Sequence, residues 1–189
     1  MSHDAFNDRR QALEEQFFKH HDEELVRKLK EGVARASARE EIKHLTGITN
    51  DKVLDALADL KLGGGAAVLV MSLFPVVEVA WADGHVDASE RKVLLDLASS
   101  VGLNRDAAGF AFLSRWLEEK PEPAWHTLWS DYVRELVALM KPEDRALLKA
   151  TVLGRARVVA EASGGFLGVA WRVSEAEEAS LARLEQAFA

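Results

Sequence analysis

Residues 66–82 form an apolar run broken only by Ser72, Pro75 and Glu78 and stopped by Asp83. A membrane-spanning helix needs about 20 predominantly apolar residues with few or no charges. This run is shorter and carries a carboxylate, so it reads as a helix buried inside a globular protein, bent or restarted at Pro75. Strand signals are nearly absent, because no alternation of Val, Ile, Thr or aromatic residues lasts more than a few positions between turns. Helical spacing is common instead, and the expected fold class is all-α.

Composition supports a packed core. Hydrophobic residues make up 48% of the 189 and charged residues 29%, which excludes a wholly disordered chain. The absence of cysteine excludes disulfides, thiolate metal sites and cysteine nucleophiles. A formal charge of −7 argues against a broad nucleic-acid surface. The first ten residues are polar and lack the apolar core of a signal peptide, so the expected location is the cytoplasm.

Residues 8–45 are rich in Glu, Lys, Arg, Ala and Leu, all good helix formers. Phe17, Phe18, Leu25, Leu29 and Val33 are the main apolar points of this stretch, too sparse for a full core-facing stripe, and Gly32 is a place where it loosens. Such a helix needs a partner surface or many i,i+4 ion pairs. Glu23 with Arg27 and Glu24 with Lys28 have the favourable order. A second helix starts at Thr49 or Asn50 as cap, with Val53, Leu54, Leu57 and Leu60 on its apolar side. Gly63-Gly64-Gly65 ends it and is the best linker in the chain. It divides a charged helical extension, 1–62, from a denser helical domain, 66–189. Within that domain helices are expected over 66–82, 87–101, 106–119, from Pro121-Glu122-Pro123, from Pro142 to about residue 163, and over 174–188.

Two units share their offsets. Val86-Asp87-Ala88-Ser89-Glu90 precedes Leu94 and Leu97, and Val173-Ser174-Glu175-Ala176-Glu177 precedes Leu181 and Leu184. Each follows a glycine-containing loop and a helix with a glutamate near its end, Glu78 or Glu161, which suggests two related helix–loop–helix halves. A capping box alone generates much of this pattern.

Asp83-Gly84-His85-Val86-Asp87-Ala88-Ser89-Glu90 is the most chemically suggestive segment. Carboxylates at Asp83, Asp87 and Glu90, with Glu78 upstream, are the set that would converge on a hard divalent cation such as calcium or magnesium. The EF-hand pattern fails, since Ala88 stands at the sixth position and Leu94 at the twelfth. The other reading needs no metal: Asp87 and Glu90 make an N-terminal capping box and Gly84 ends the preceding helix.

The remaining residues carry weaker signals. His20 and His21 point about 100° apart on a helix and do not share a metal easily. His85 lies in the acidic loop, and His126 beside Trp125 and Trp129 reads as a core-edge residue. Trp81, Trp116, Trp125 and Trp129 read as packing residues. Trp171 follows Gly164-Gly165-Phe166-Leu167-Gly168, a loop that either folds onto the core or marks a binding surface. Arg145, Lys149, Arg155 and Arg157 form a basic patch suited to ion pairs with neighbouring helices. No phosphate-cradling loop, dinucleotide fingerprint, nucleophile elbow or His-Glu-x-x-His zinc motif occurs.

Two family resemblances follow. Glu78-Val79-Ala80-Trp81-Ala82-Asp83-Gly84-His85-Val86-Asp87-Ala88-Ser89-Glu90-Arg91 resembles the tellurite-resistance TerB-like family. The likeness covers 66–189 and implies a helical domain of two pseudo-repeated halves, metal binding through acidic residues, and a place in stress or membrane-associated complexes. Asp83, Asp87 and Glu90 match the motif and Glu78 matches more loosely. The second half departs from it at Gly164, Gly165 and Ser174. At the N-terminus, Phe6-Asn7-Asp8-Arg9, Ala12-Leu13-Glu14, Phe17 and His21-Asp22-Glu23-Glu24-Leu25 are similar to the start of the α-proteobacterial ATP synthase zeta inhibitor. That likeness implies a helix that inserts into a rotary ATPase.

The functional expectation is a non-enzymatic binding or adaptor protein. Its acidic loop serves a cation or a partner, and its N-terminal helix engages another protein. The alternatives are an ATPase-inhibitor-like regulator and a metal-dependent hydrolase using Asp83 and Asp87.

Overall fold

The structure, a computed structural model, describes residues 2–104, 107–163 and 173–189, with side chains from residue 20 onward. Among these residues there are eight α-helices and no strand: α1 Ser2–Thr46, α2 Asp51–Ala58, α3 Gly64–Ala80, α4 Ala88–Ser100, α5 Ala108–Glu118, α6 Pro123–Ala138, α7 Pro142–Ser163 and α8 Glu175–Glu185. A 3₁₀ turn, Gln186–Phe188, follows α8. The expected start of a helix at Asp106 and the loop with Phe166, Leu167 and Trp171 lie outside the described residues.

Helix α3 is the apolar run, and it is the centre of the fold. It touches all seven other helices, and Ala67, Val70, Met71, Leu73, Val77 and Val79 are each buried. Pro75 sits inside α3 without ending it. Proline has no N–H, so the carbonyl of Met71 loses its usual intrahelical donor. The surrounding packing holds the helix together across that step. On one flank, Phe74 meets Trp116 edge-on at 5.5 Å between ring centroids, and Trp116 meets Trp125 at 4.9 Å.

The short caps follow the local sequence. Asn50 accepts from the N–H groups of Lys52 and Val53 at the start of α2 and donates to Glu135 of α6 at 2.7 Å. Asp87–Glu90 and Ser174–Glu177 each form a complete capping box. Arg157 pairs with Glu178, and Lys149 with Glu185, so part of the basic patch serves to tie α7 to α8.

Helix α1 is one helix of 45 residues that passes through Gly32 without a break. At about 1.5 Å per residue it is close to 70 Å long. Among the described side chains, it is those of its C-terminal part that join the body. Ala38 and Ile42 are buried, Arg35 pairs with Asp59, and Arg39 pairs with Asp51 and Asp55 of α2. Further toward the N-terminus, Glu24 pairs with Lys28 at 2.9 Å as expected. Arg27 turns to Glu31 at 3.2 Å and to Glu24 at 4.0 Å rather than to Glu23.

The expected boundary at Gly63-Gly64-Gly65 is a packing point, because Ile42, Ile48, Leu54 and Leu57 share one hydrophobic cluster with α3. Gly64 lies inside α3, and a Cβ there would stand 2.6 Å from Glu41 Cβ and 2.7 Å from the Ala38 carbonyl oxygen. Glu41 of α1 accepts the Gly64 N–H at 2.8 Å, which places a carboxylate at the positive end of α3.

Gly64→Ala is therefore expected to force α1 and α3 apart and to cost about 1–3 kcal/mol, the range for overpacking. Gly154 lies exposed inside α7 with nothing within 4 Å of an added Cβ. Gly154→Ala is expected to stabilise by about 0.5–1 kcal/mol. Denaturant unfolding of the two variants measures both effects.

Candidate functional site

The acidic loop joins α3 to α4. Gly84 takes φ +99° there, a left-handed conformation suited to glycine. Asp83 accepts the His85 N–H at 3.1 Å and lies 3.2 Å from His85 Nδ1. Asp87 Oδ1 accepts from the N–H groups of Ser89 and Glu90 at 2.7 and 2.8 Å, and Glu90 Oε2 accepts the Asp87 N–H at 2.9 Å. These contacts satisfy donors that the start of α4 would otherwise leave unmet.

The structure thus brings Asp83, Asp87 and Glu90 to one loop and directs Glu78 elsewhere. No three His, Asp or Glu side chains among the described residues are grouped so as to hold a metal ion. Of the expected donor set, Asp87 and Glu90 are engaged in the cap and Glu78 pairs with residues of other helices.

Glu90 is nonetheless an unusual group. It is 3% exposed, and burial pushes its carboxyl up to about 7 from an ordinary 4.5. The Asp87 N–H opposes that rise, while the charges of Asp87, Asp83 and Glu177 add to it. Glu177 is the equivalent glutamate of the second capping box and is itself buried at 4% exposure.

Glu78 belongs to a different cluster. Its Oε2 lies 2.8 Å from His126 Nδ1 and its Oε1 lies 3.0 Å from Arg183 Nε. His126 Nε2 in turn lies 3.3 Å from Ser130 Oγ. This network links α3, α6 and α8 at the floor of a cleft of about 770 Å³ whose walls include Phe74, Trp81, Lys120 and Arg183. Lys120 donates to the Trp81 carbonyl at 3.2 Å. The order Ser130, His126, Glu78 follows that of a nucleophile, a base and an orienting acid. Ser130 is 5% exposed and does not line the cleft. His126 is the core-edge residue that its tryptophan neighbours suggested. Arg183 was not legible as its partner, since the only sequence signal is a lone glutamate in an apolar helix, a group that must find a counter-charge when buried.

A second candidate surface lies on α1. Leu25, Val26, Leu29 and Val33 are 52%, 50%, 70% and 63% exposed, a run of large apolar side chains at helical spacing that no element among the described residues covers. No helix among the described residues is long and apolar enough to cross a membrane.

Comparison with models of known protein families, with curated proteins and with solved structures finds no match.

Two outcomes follow for the loop. Asp87→Ala is expected to cost about 0.5–2 kcal/mol, the loss of a cap, to the same extent with chelator as with calcium or magnesium. A cation-dependent rise in Tm that Asp83→Ala abolishes would overturn this geometry. Glu90 gives the second. A carboxyl raised in the folded state binds a proton that the unfolded chain releases, so its contribution is full below about pH 4.5 and is lost as pH climbs through about 7. Glu90→Gln is expected to match the wild type near pH 4.5 and to exceed it at pH 8 by on the order of 1–3 kcal/mol. Urea unfolding at both pH values checks the slope.

Proposed function

We propose that this chain is a non-enzymatic binding protein that presents α1 to a protein partner from a helical body. The observation that carries this reading is the exposed stripe of Leu25, Val26, Leu29 and Val33 on α1. Isolated apolar residues on a surface need no explanation, but a cluster on one projecting helix is what a helix-binding partner recognises. The intrahelical pairs Glu24–Lys28 and Arg27–Glu31 help keep this part of α1 helical while the stripe stays uncovered.

The body is read as a TerB-like domain of two related halves. Support comes from Asp83, Asp87 and Glu90 at the motif positions and from the parallel roles of Glu90 and Glu177, two buried glutamates in two capping boxes. The cation part of that reading lacks a grouped donor set and rests on the melts above. The alternative regulator of a rotary ATPase uses the same helix, since the segment resembling the zeta inhibitor lies wholly within α1.

Leu25→Glu with Leu29→Glu is expected to leave the Tm within about a degree, as exposed substitutions change stability by less than about 0.5 kcal/mol. It is expected to abolish retention of a specific protein that the wild-type chain captures from extract of its source cells. Retention unchanged by the double substitution would overturn the proposal. Slowed ATP hydrolysis by the catalytic sector of an ATP synthase, relieved by the same pair, would select the regulator.

A further inference from the structure

We infer that the partner of the α1 stripe is α1 of a second copy of this chain, laid antiparallel across it. The inference rests on the binding reading above and names its occupant. Three observations carry it.

The first is direction. At about 100° per residue, Leu25, Val26, Leu29 and Val33 fall within about a quarter of the helix circumference. Ala38 and Ile42, the buried residues by which α1 joins its own body, fall on the opposite side, about 180° away. A second helix can therefore lie along the stripe without meeting the body that α1 is fixed to.

The second is charge complementarity. Glu23 and Lys30 border the same edge of the stripe, seven residues apart and of opposite sign. In antiparallel helix pairs, each edge faces the same edge of the other copy. A pairing centred between Val26 and Leu29 sets Val26 against Leu29 of the other copy. It brings Glu23 within reach of Lys30 of the other copy, and the two-fold axis repeats both contacts. A parallel pairing would instead set each edge against the other edge and lose these ion pairs.

The third is the distribution of net charge. Within α1 there are nine Lys and Arg against ten Asp and Glu, so nearly all of the −7 lies on the body. Antiparallel pairing carries the two acidic bodies to opposite ends of the paired helices, whereas parallel pairing sets them side by side.

Sedimentation equilibrium of the full chain tests the inference. The wild-type mass is expected to rise with concentration from 20.9 kDa toward twice that value. Leu29→Glu is expected to stay at the monomer mass with an unchanged circular dichroism spectrum. Glu23→Lys alone and Lys30→Glu alone are each expected to weaken association several-fold, and the two together to restore it. Since the chain has no cysteine, orientation is read directly by mixing Glu23→Cys chains with Lys30→Cys chains under oxidation. Antiparallel pairing gives predominantly the mixed disulfide; homodisulfides alone would overturn the orientation. A wild type that stays monomeric at every concentration, or a Leu29→Glu chain that still dimerises, overturns the inference. In the monomeric case, retention of another protein that depends on Leu25 and Leu29 would leave the binding reading standing with a different occupant.

Discussion

The physical constraint on which the rest depends is the lack of a polar face on α3. Phe74, Val76, Val77 and Val79 are consecutive or nearly so and all are buried, so burial surrounds the helix and is not confined to one stripe. Each neighbour must then bring its own apolar stripe, and seven helices do so. Transfer of such side chains from water contributes about 1.5–3 kcal/mol each, and this offsets the proline in the middle of α3 and the ordering of the loops around it. The same constraint explains the close approach at Gly64. Helix α1 sits near enough to α3 for Glu41 to meet the Gly64 N–H only because no side chain intervenes.

What was legible in the sequence was local. Asn50, Asp87 and Ser174 are caps because a short polar side chain reaches an N–H two or three residues on, whatever the rest of the chain does. The apolar run at 66–82 and the prolines at 123 and 142 marked helices for similarly local reasons. What was not legible depended on residues distant in sequence. Glu78 stands five residues before Asp83 and reads as a member of the acidic loop, yet its counter-charges, His126 and Arg183, lie on α6 and α8. Gly63-Gly64-Gly65 has the composition of a linker and the function of a contact, a difference set by what stands opposite it.

The acidic loop shows how one carboxylate answers two demands. The amide of Asp87 favours an ionised Glu90, while burial and the neighbouring carboxylates favour a protonated one, and burial is the largest of these effects. A cap of this kind is a hydrogen-bonding device placed in a poorly hydrated position, with Glu177 nearby in the same role. Spacing alone reveals the cap and conceals the dehydration, because dehydration is contributed by the elements packed over it.

Helix α1 is uniform in composition and divided in environment. Around residues 35–42 its arginines find Asp51, Asp55 and Asp59, and its small or apolar residues find α2 and α3. Between residues 24 and 33, Glu24 pairs with Lys28 and Arg27 with Glu31 within the helix, and Leu25, Val26, Leu29 and Val33 face solvent. A charged helix that was only a solubilising extension would have no reason to place Leu25, Leu29 and Val33 on one side, since intrahelical pairs on the other side already support the helix. The stripe costs solubility and adds nothing to the body, which lies on the far side of α1. On the proposal above, an apolar surface brought from outside covers the stripe, and the flanking charges align that surface.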